Sequence, residues 1–189
     1  MRIYTAPLGD LSALSRISIA FTASSIMEIV PAPAPDGDYT MRERPLAKPL
    51  HKDYDAIPGN HPSDWLRRFD TRSWALLLAD MEGATVGAAL IASATPEVQM
   101  LEHPGQAVLW DLRVAPDYRG RGCGTALFSA ARNWCSRHGY AELKIETQNT
   151  NPAAVKFYLQ RGCVLRHVQA GAYPEFPDEL MLLFYIATV

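Results

Sequence analysis

Residues 74–81 and 85–92 are nearly continuous apolar runs, joined by Glu82-Gly83. Two short apolar runs around a two-residue glycine turn predict a β-hairpin. A third run, Val108, Leu109, Trp110, Leu112 and Val114, predicts a strand that feeds a glycine-rich loop. From Gly122 the spacing becomes that of an amphipathic helix, which reaches His138 and stops at Gly139. Residues 141–147 set Leu143, Ile145 and Thr147 against Glu142, Lys144 and Glu146, the alternation of a half-buried strand. Asn151 suits a helix N-cap and Pro152 a first helical position, so a helix carrying Val155, Phe157, Tyr158 and Leu159 follows and ends at Gly162. A last strand is predicted over 180–186. Strand, glycine loop, helix, strand, capped helix and strand read as a parallel α/β core.

The first third is less regular. Residues 2–5 predict an opening strand and 11–21 a helix, with the apolar stretch 17–27 as the end of that helix running into a strand. Residues 31–37, Pro-Ala-Pro-Ala-Pro-Asp-Gly, predict a rigid, extended connection. Residues 39–43 predict a strand, followed by a proline-containing stretch with Lys48, His51, Lys52 and Tyr54. Ser63 is placed to cap a short helix carrying Trp65 and Leu66. His51 and His61 read as surface residues.

The loop Arg119-Gly-Arg-Gly-Cys-Gly124 carries the clearest chemistry. A strand entering a helix through such a loop presents unpaired backbone N–H groups, the positive end of a helix dipole and two guanidinium groups, a setting for a phosphate-bearing ligand. The spacing excludes two phosphate loops. After Gly120 and Gly122 a dinucleotide fingerprint needs a glycine where Thr125 stands, and no G-x-x-x-x-G-K-[ST] string occurs.

What remains is R-x-x-G-x-G, as Arg119, Gly122 and Gly124, which resembles the pyrophosphate loop of the GNAT superfamily of N-acetyltransferases. Downstream, Asn151-x-x-Ala154-x-x-Phe157-Tyr158-x-x-x-Gly162 resembles the second signature of the same superfamily. The resemblance covers roughly residues 70–187. It implies a single-domain α/β GNAT fold with a mixed, largely antiparallel sheet, a central parallel strand pair at the acetyl-CoA site, and helices on both faces. On this reading residues 1–70 form the acceptor side and 70–187 the acetyl-CoA core.

The same resemblance distributes the chemistry. Backbone groups of Leu112, Arg113 and Val114 bind the pantetheine and polarise the thioester carbonyl. The backbone of Arg119, Gly120, Arg121, Gly122, Cys123 and Gly124, with Thr125, holds the pyrophosphate. Asn151 contacts the pantetheine arm, and Tyr158 protonates the departing thiolate. An alkylammonium acceptor must also lose a proton before it can attack. Asp111 and Glu146 are the two candidate carboxylates: either could accept it through a water or simply attract a cationic substrate.

Residues 146–158 and the tail with Tyr173, Asp178 and Glu179 are similar to the streptothricin acetyltransferase branch. The resemblance then implies a small cationic amine as acceptor, met by Asp111, Glu43, Glu175, Asp178 and Glu179 as a carboxylate-rich mouth, with Tyr173 beside them. The segment 173–177, Tyr-Pro-Glu-Phe-Pro, looks suited to closing a groove. The chain departs from that branch at 31–35 and at Cys163, where an aromatic residue is common. Two other readings stay open: an acetyltransferase acting on protein amines, and an acyl-CoA sensor without turnover.

Composition narrows the classes further. A chain of 189 residues with net charge −2 predicts one domain and offers no electrostatic case for nucleic acid. Cys123, Cys135 and Cys163 are odd in number and lack metal-ligand spacing, so they read as free cytosolic thiols, and no metal is expected. Nothing is long enough to span a membrane. The expectation is a cytoplasmic enzyme, with a homodimer left open.

Overall fold

The computed structural model describes residues 1–9, 11–31, 39–98 and 100–189. In chain order they form β1 (Arg2–Ala6), α1 (Ser12–Ser15), β2 (Phe21–Pro31), β3 (Tyr39–Lys52), α2 (Pro62–Arg68), β4 (Ala75–Met81), β5 (Ala84–Ser93), β6 (Gln106–Val114), α3 (Cys123–Arg137), β7 (Glu142–Gln148), α4 (Pro152–Leu159), β8 (Val164–Ala170) and β9 (Leu180–Ala187). Seven strands make one largely antiparallel mixed sheet in the order β1-β4-β5-β6-β7-β9-β8, with β6 and β7 parallel. A separate two-stranded sheet pairs β2 with β3. By internal contacts the chain divides into two compact units, Met1–Ala20 with Asp53–Leu143 and Ala187–Val189, and Phe21–Lys52 with Lys144–Ile186.

In the first unit the β4–β5 hairpin turns through Glu82 and Gly83, at φ 55 and 83, between the paired residues Met81 and Ala84. Two successive positive-φ residues are what a type I′ turn needs, so the predicted hairpin is present. Helices cover both faces of β5. Ala88, Leu90 and Ala92 join Leu11, Leu14, Trp65 and Phe69 of the α1–α2 side in one buried cluster. Gly87 points the other way, where a Cβ would lie 2.8 Å from both Cys123 Sγ and Leu127 Cδ1 of α3. The missing side chain is what lets that helix pack so close. On β6 the register with β5 slips so that Leu90 faces Asp111 and Ile91 faces Leu109, leaving Trp110 as an extra, bulged residue.

In the second unit Val155 and Tyr158 are the buried face of α4, and β9 is buried from Leu182 to Ile186. The Tyr158 ring lies 6.2 Å from that of Phe184. Asn149 is a cross-link: its amide and carbonyl oxygen exchange hydrogen bonds with Leu180 and Met27, at 3.2 and 2.8 Å, and its side chain donates to Met27 and accepts from Leu180.

Several expectations change. The strand after α4 does not extend a parallel core, because β8 pairs antiparallel with β9. The helix expected over 11–21 is one turn, Ser12–Ser15, and the chain is extended again from Phe21. The strand expected over 39–43 runs on to Lys52 through two prolines. The hairpin register jumps there, from Ala23 opposite Leu50 to Ser25 opposite Pro45, so residues 46–49 bulge out and Pro49 owes the ladder no N–H. Ser63 does not cap α2. His61 is the N-cap, its ring accepting from the Ser63 N–H. The burial of β7 alternates as expected except at Lys144, which is 2 % exposed between the buried Leu143 and Ile145. The proline-rich connection expected from 31 to 37 lies, beyond Pro31, outside the described residues.

Candidate active site

The loop after β6 has the backbone an anion cradle requires. Gly120 and Gly122 stand at φ 75 and 84, where a Cβ would strain the chain. Gly122 is the N-cap of α3 and offers no side chain to its first turn, which also holds no acidic residue. The N–H groups of Cys123, Gly124 and Thr125 therefore open a 15-residue helix without a capping carboxylate or hydroxyl at the N-cap. The Cys123 side chain is 1 % exposed, pressed toward Gly87, and burial pushes its thiol up.

The two loop arginines behave differently. Arg119 turns its guanidinium onto carbonyl oxygens: Nε donates to Val114 at 2.9 Å, Nη2 to Ser18 at 3.1 Å, and both Nη atoms to Ala20 at 3.2 Å. Arg121 is exposed, lies 5.3 Å over the Tyr118 ring, and has no ion pair among the described residues. Of the two guanidinium groups read from sequence, only Arg121 is unengaged by backbone carbonyls.

Upstream on β6, Asp111 and Arg113 sit two residues apart and therefore on one face. Arg113 grips the Asp111 carboxylate twice, at 2.8 and 2.5 Å, and reaches Asp55 at 2.7 and 3.2 Å. Its Nη1 also donates to the Ile17 carbonyl at 3.1 Å. The side chains are 1 % exposed for Arg113, 3 % for Asp111 and 17 % for Asp55. Burial raises the Asp111 carboxyl against the pull of Arg113, and the two carboxylates hold Arg113 firmly charged. Both Asp111 oxygens are thus committed to an internal ion pair. Asp55, which no local sequence signal marks, completes it.

In the second unit Tyr173 donates to Glu146 Oε1 at 2.7 Å and accepts from Gln148 Nε2 at 3.0 Å. Burial raises the Glu146 carboxyl, opposed by the Tyr173 hydrogen bond and by Lys144. A raised carboxylate is a stronger base, and this one has a defined hydrogen-bond partner. Tyr158 is 7 % exposed on α4, and Asn151 caps that helix by accepting from the Ala154 N–H at 3.1 Å. The segment at 173–179 is turned on itself by the bonds from Phe176 to Tyr173 and from Glu179 to Phe176, each 3.0 Å.

Of the carboxylates expected to meet a cationic acceptor, several have cationic partners within the protein. Glu179 is 4 % exposed and ion-paired with Lys52, whose ammonium lies 3.3 Å from the centre of the Phe176 ring. Glu43 is held by Lys156 at 2.5 Å and by the Ser25 hydroxyl at 2.6 Å, which lower its carboxyl. With Asp111 taken by Arg113, three of the five expected charges are balanced by internal cations. Glu175 and Asp178 remain exposed and without an ion pair among the described residues. Also among them, no group of three or more His, Cys, Asp or Glu side chains is arranged to hold a metal, and no helix is long and apolar enough to cross a membrane.

A mixed sheet with one parallel step, an uncapped helix behind a glycine loop, and an Asn-capped helix beyond it define an α/β acetyltransferase fold. The sequence profile of the Acetyltransferase (GNAT) family matches residues 39–163, and the chain belongs to that family. It is 35 % identical to streptothricin acetyltransferase A of Bacillus subtilis (strain 168) over 83 residues, which cover 43 % of this chain and 48 % of that protein. It is 25 % identical over 165 residues to streptothricin acetyltransferase of Streptomyces lavendulae, covering 87 % of this chain and 82 % of the relative. In three dimensions it matches a nourseothricin acetyltransferase with a TM-score of 0.76 at 23 % identity, over 100 % of this chain and 98 % of that one. A protein of Bacillus anthracis str. Ames described as a streptothricin acetyltransferase, solved with acetyl coenzyme A, matches with a TM-score of 0.79 at 18 % identity over 98 % of both chains.

Proposed function

We propose that the protein transfers the acetyl group of acetyl-CoA directly to a primary amine of a small cationic molecule, with streptothricin-type antibiotics as the acceptor class. Residues 1–189 then act as one acetyltransferase domain, since each compact unit is assembled from separate stretches of the chain. The observation that carries the cosubstrate is the α3 N-terminus, with left-handed glycines at 120 and 122 and neither a capping side chain nor an acid in its first turn. Such a terminus favours a diphosphate. The acceptor rests on the similarity to proteins named streptothricin acetyltransferase.

Acetyl-CoA supplies the activated acetyl group, and the chain's own residues do the rest. The backbone of Arg119–Thr125 holds the diphosphate, with Arg121 adding charge at its edge. Leu112, Arg113 and Val114 offer main-chain groups to the pantetheine, and Asn151 a second contact. Glu146 accepts the proton that the acceptor ammonium must lose, because its carboxyl is raised and has no ion pair among the described residues, whereas Asp111 is paired with Arg113. Tyr158 gives its hydroxyl proton to the leaving thiolate. Tyr173 and Asp178 contact the acceptor.

The direct test is acetyl-CoA-dependent thiol release by the purified protein with streptothricin, against a control without acceptor. Saturable release is the expected result. No release from a protein that still binds acetyl-CoA discards the antibiotic and turns the search to peptide amines. Tight binding without release to any amine points instead to a sensor.

A further inference from the structure

The stretch 14–20 links α1 to β2 and, past Arg16, carries no helix or strand. Its carbonyl groups need donors, and the strand-and-loop segment 113–119 supplies them from two side chains. Arg113 Nη1 donates to Ile17 at 3.1 Å and, more weakly, to Leu14 at 3.5 Å. Arg119 donates to Ser18 and Ala20 while its Nε stays on Val114 of its own strand. One guanidinium thus spans both segments. A planar fork can hold two carbonyls on one side and a third on the other, which an ammonium on a flexible stem cannot.

We propose that Arg119 is a positioning residue whose guanidinium couples the diphosphate loop to the stretch 14–20, so that filling the loop orders a segment on the acceptor side. The inference rests on the acyl-transfer reading for the ligand and for the role of residues 1–70. Charge-assisted bonds to carbonyls are among the stronger single interactions available to an exposed side chain. Four of them from one residue make the loop and the stretch respond together. A direct grip on the diphosphate would require Arg119 to give up these bonds, and the exposed Arg121 already carries a charge at that loop.

Hydrogen–deuterium exchange with and without coenzyme A tests this in the wild type, Arg119→Met and Arg119→Lys. The stretch reports on itself, since the Ile17 amide bonds to Leu14 at 3.0 Å and the Ala20 amide to the Ser18 hydroxyl at 3.2 Å. In the wild type coenzyme A should slow exchange in both 119–125 and 14–20, the latter on the order of tenfold. In Arg119→Met the protection of 119–125 should persist, while that of 14–20 falls below about twofold. Arg119→Lys should behave like Arg119→Met over 14–20, because it keeps the charge and loses the fork.

Undiminished protection of 14–20 in Arg119→Met overturns the coupling. So does full restoration by lysine, which would make charge the operative feature. If the wild type fails to bind coenzyme A, the acyl-transfer reading falls, and the link is judged on the free protein. Faster exchange over 14–20 in Arg119→Met then supports it, and unchanged exchange ends it.

Discussion

The Tyr173 hydroxyl donates a 2.7 Å hydrogen bond to Oε1 of Glu146. A donor on a carboxylate stabilises its charged form, so Tyr173 restrains the rise that burial imposes on Glu146. If Glu146 is the proton acceptor, kcat/KM falls on the acid side as Glu146 becomes protonated. Tyr173→Phe removes the donor, lets the Glu146 carboxyl rise further, and should move that limb to higher pH. Gln148→Leu should move it the same way and less, because Gln148 acts only through Tyr173. A limb that stays in place in both variants while Glu146→Gln remains active removes Glu146 from the proton path.

Arg113 is the hub of a buried charge cluster, and the penalty for breaking such a cluster falls on what is left behind. Arg113→Met leaves the Asp111 and Asp55 carboxylates close together without their cation, in a place where the Asp111 side chain is 3 % exposed. Breaking a buried pair by removing one partner costs about 3–5 kcal/mol. The double change Arg113→Met with Asp111→Leu removes the cation and the more buried carboxylate, leaves Asp55, and should recover part of that loss. Urea midpoints of the three proteins measure it. Equal midpoints for wild type and Arg113→Met would mean that solvent reaches the cluster and screens it.

What the sequence reveals here depends on whether the determinant is local. Glu82-Gly83, Gly122, Gly139, Asn151-Pro152 and Gly162 each set a turn or helix end through their own backbone preferences, and each stands where expected. The β2–β3 hairpin does not announce itself, since its register is set between residues far apart and β3 carries Pro45 in the ladder and Pro49 in its bulge. Charge is harder to read. Lys52, Lys144 and Glu179 look like surface residues in the sequence, and all are buried because of neighbours brought by other elements. Of the Arg113 cluster, only the Asp111–Arg113 spacing was visible. Asp55 comes from a turn 58 residues away. The cations that meet Glu43, Asp111 and Glu179 are hidden for the same reason, because a one-letter string shows carboxylates and not their partners.

All three cysteines are buried thiols. Burial pushes Cys135 up to about 12 and raises Cys123 as well. Thiolate-directed reagents react through the ionised sulfur. The folded protein at pH 8 should therefore show no fast-reacting thiol, and the urea-unfolded chain should show three. Cys123→Ala should retain acetyl transfer, since its thiol is packed toward Gly87 and its contribution to the loop is a backbone N–H. Loss of turnover in Cys123→Ala, with coenzyme A binding intact, would instead give that sulfur a chemical role.

Tyr158 offers the sharpest separation of chemistry from binding. Its ring is packed 5.2 Å from Phe157 and 6.2 Å from Phe184, and phenylalanine preserves that packing. Tyr158→Phe therefore removes a hydroxyl and leaves the helix α4 largely as it was. General acids contribute roughly 10²–10⁴ to a rate, so kcat should fall on the order of a hundredfold. The affinity for coenzyme A should change by less than about twofold, as the α3 N-terminus proposed to hold the diphosphate is untouched. Stability can fall with the loss of the hydroxyl's own bonds, so kcat alone does not decide the matter. A leaving thiolate that is already stable needs less protonation. The deficit of Tyr158→Phe should therefore shrink with acetyl thioesters of more acidic thiols, whereas a packing defect would slow every donor alike. Equal losses across such a series would leave Tyr158 as a core residue and require another proton donor.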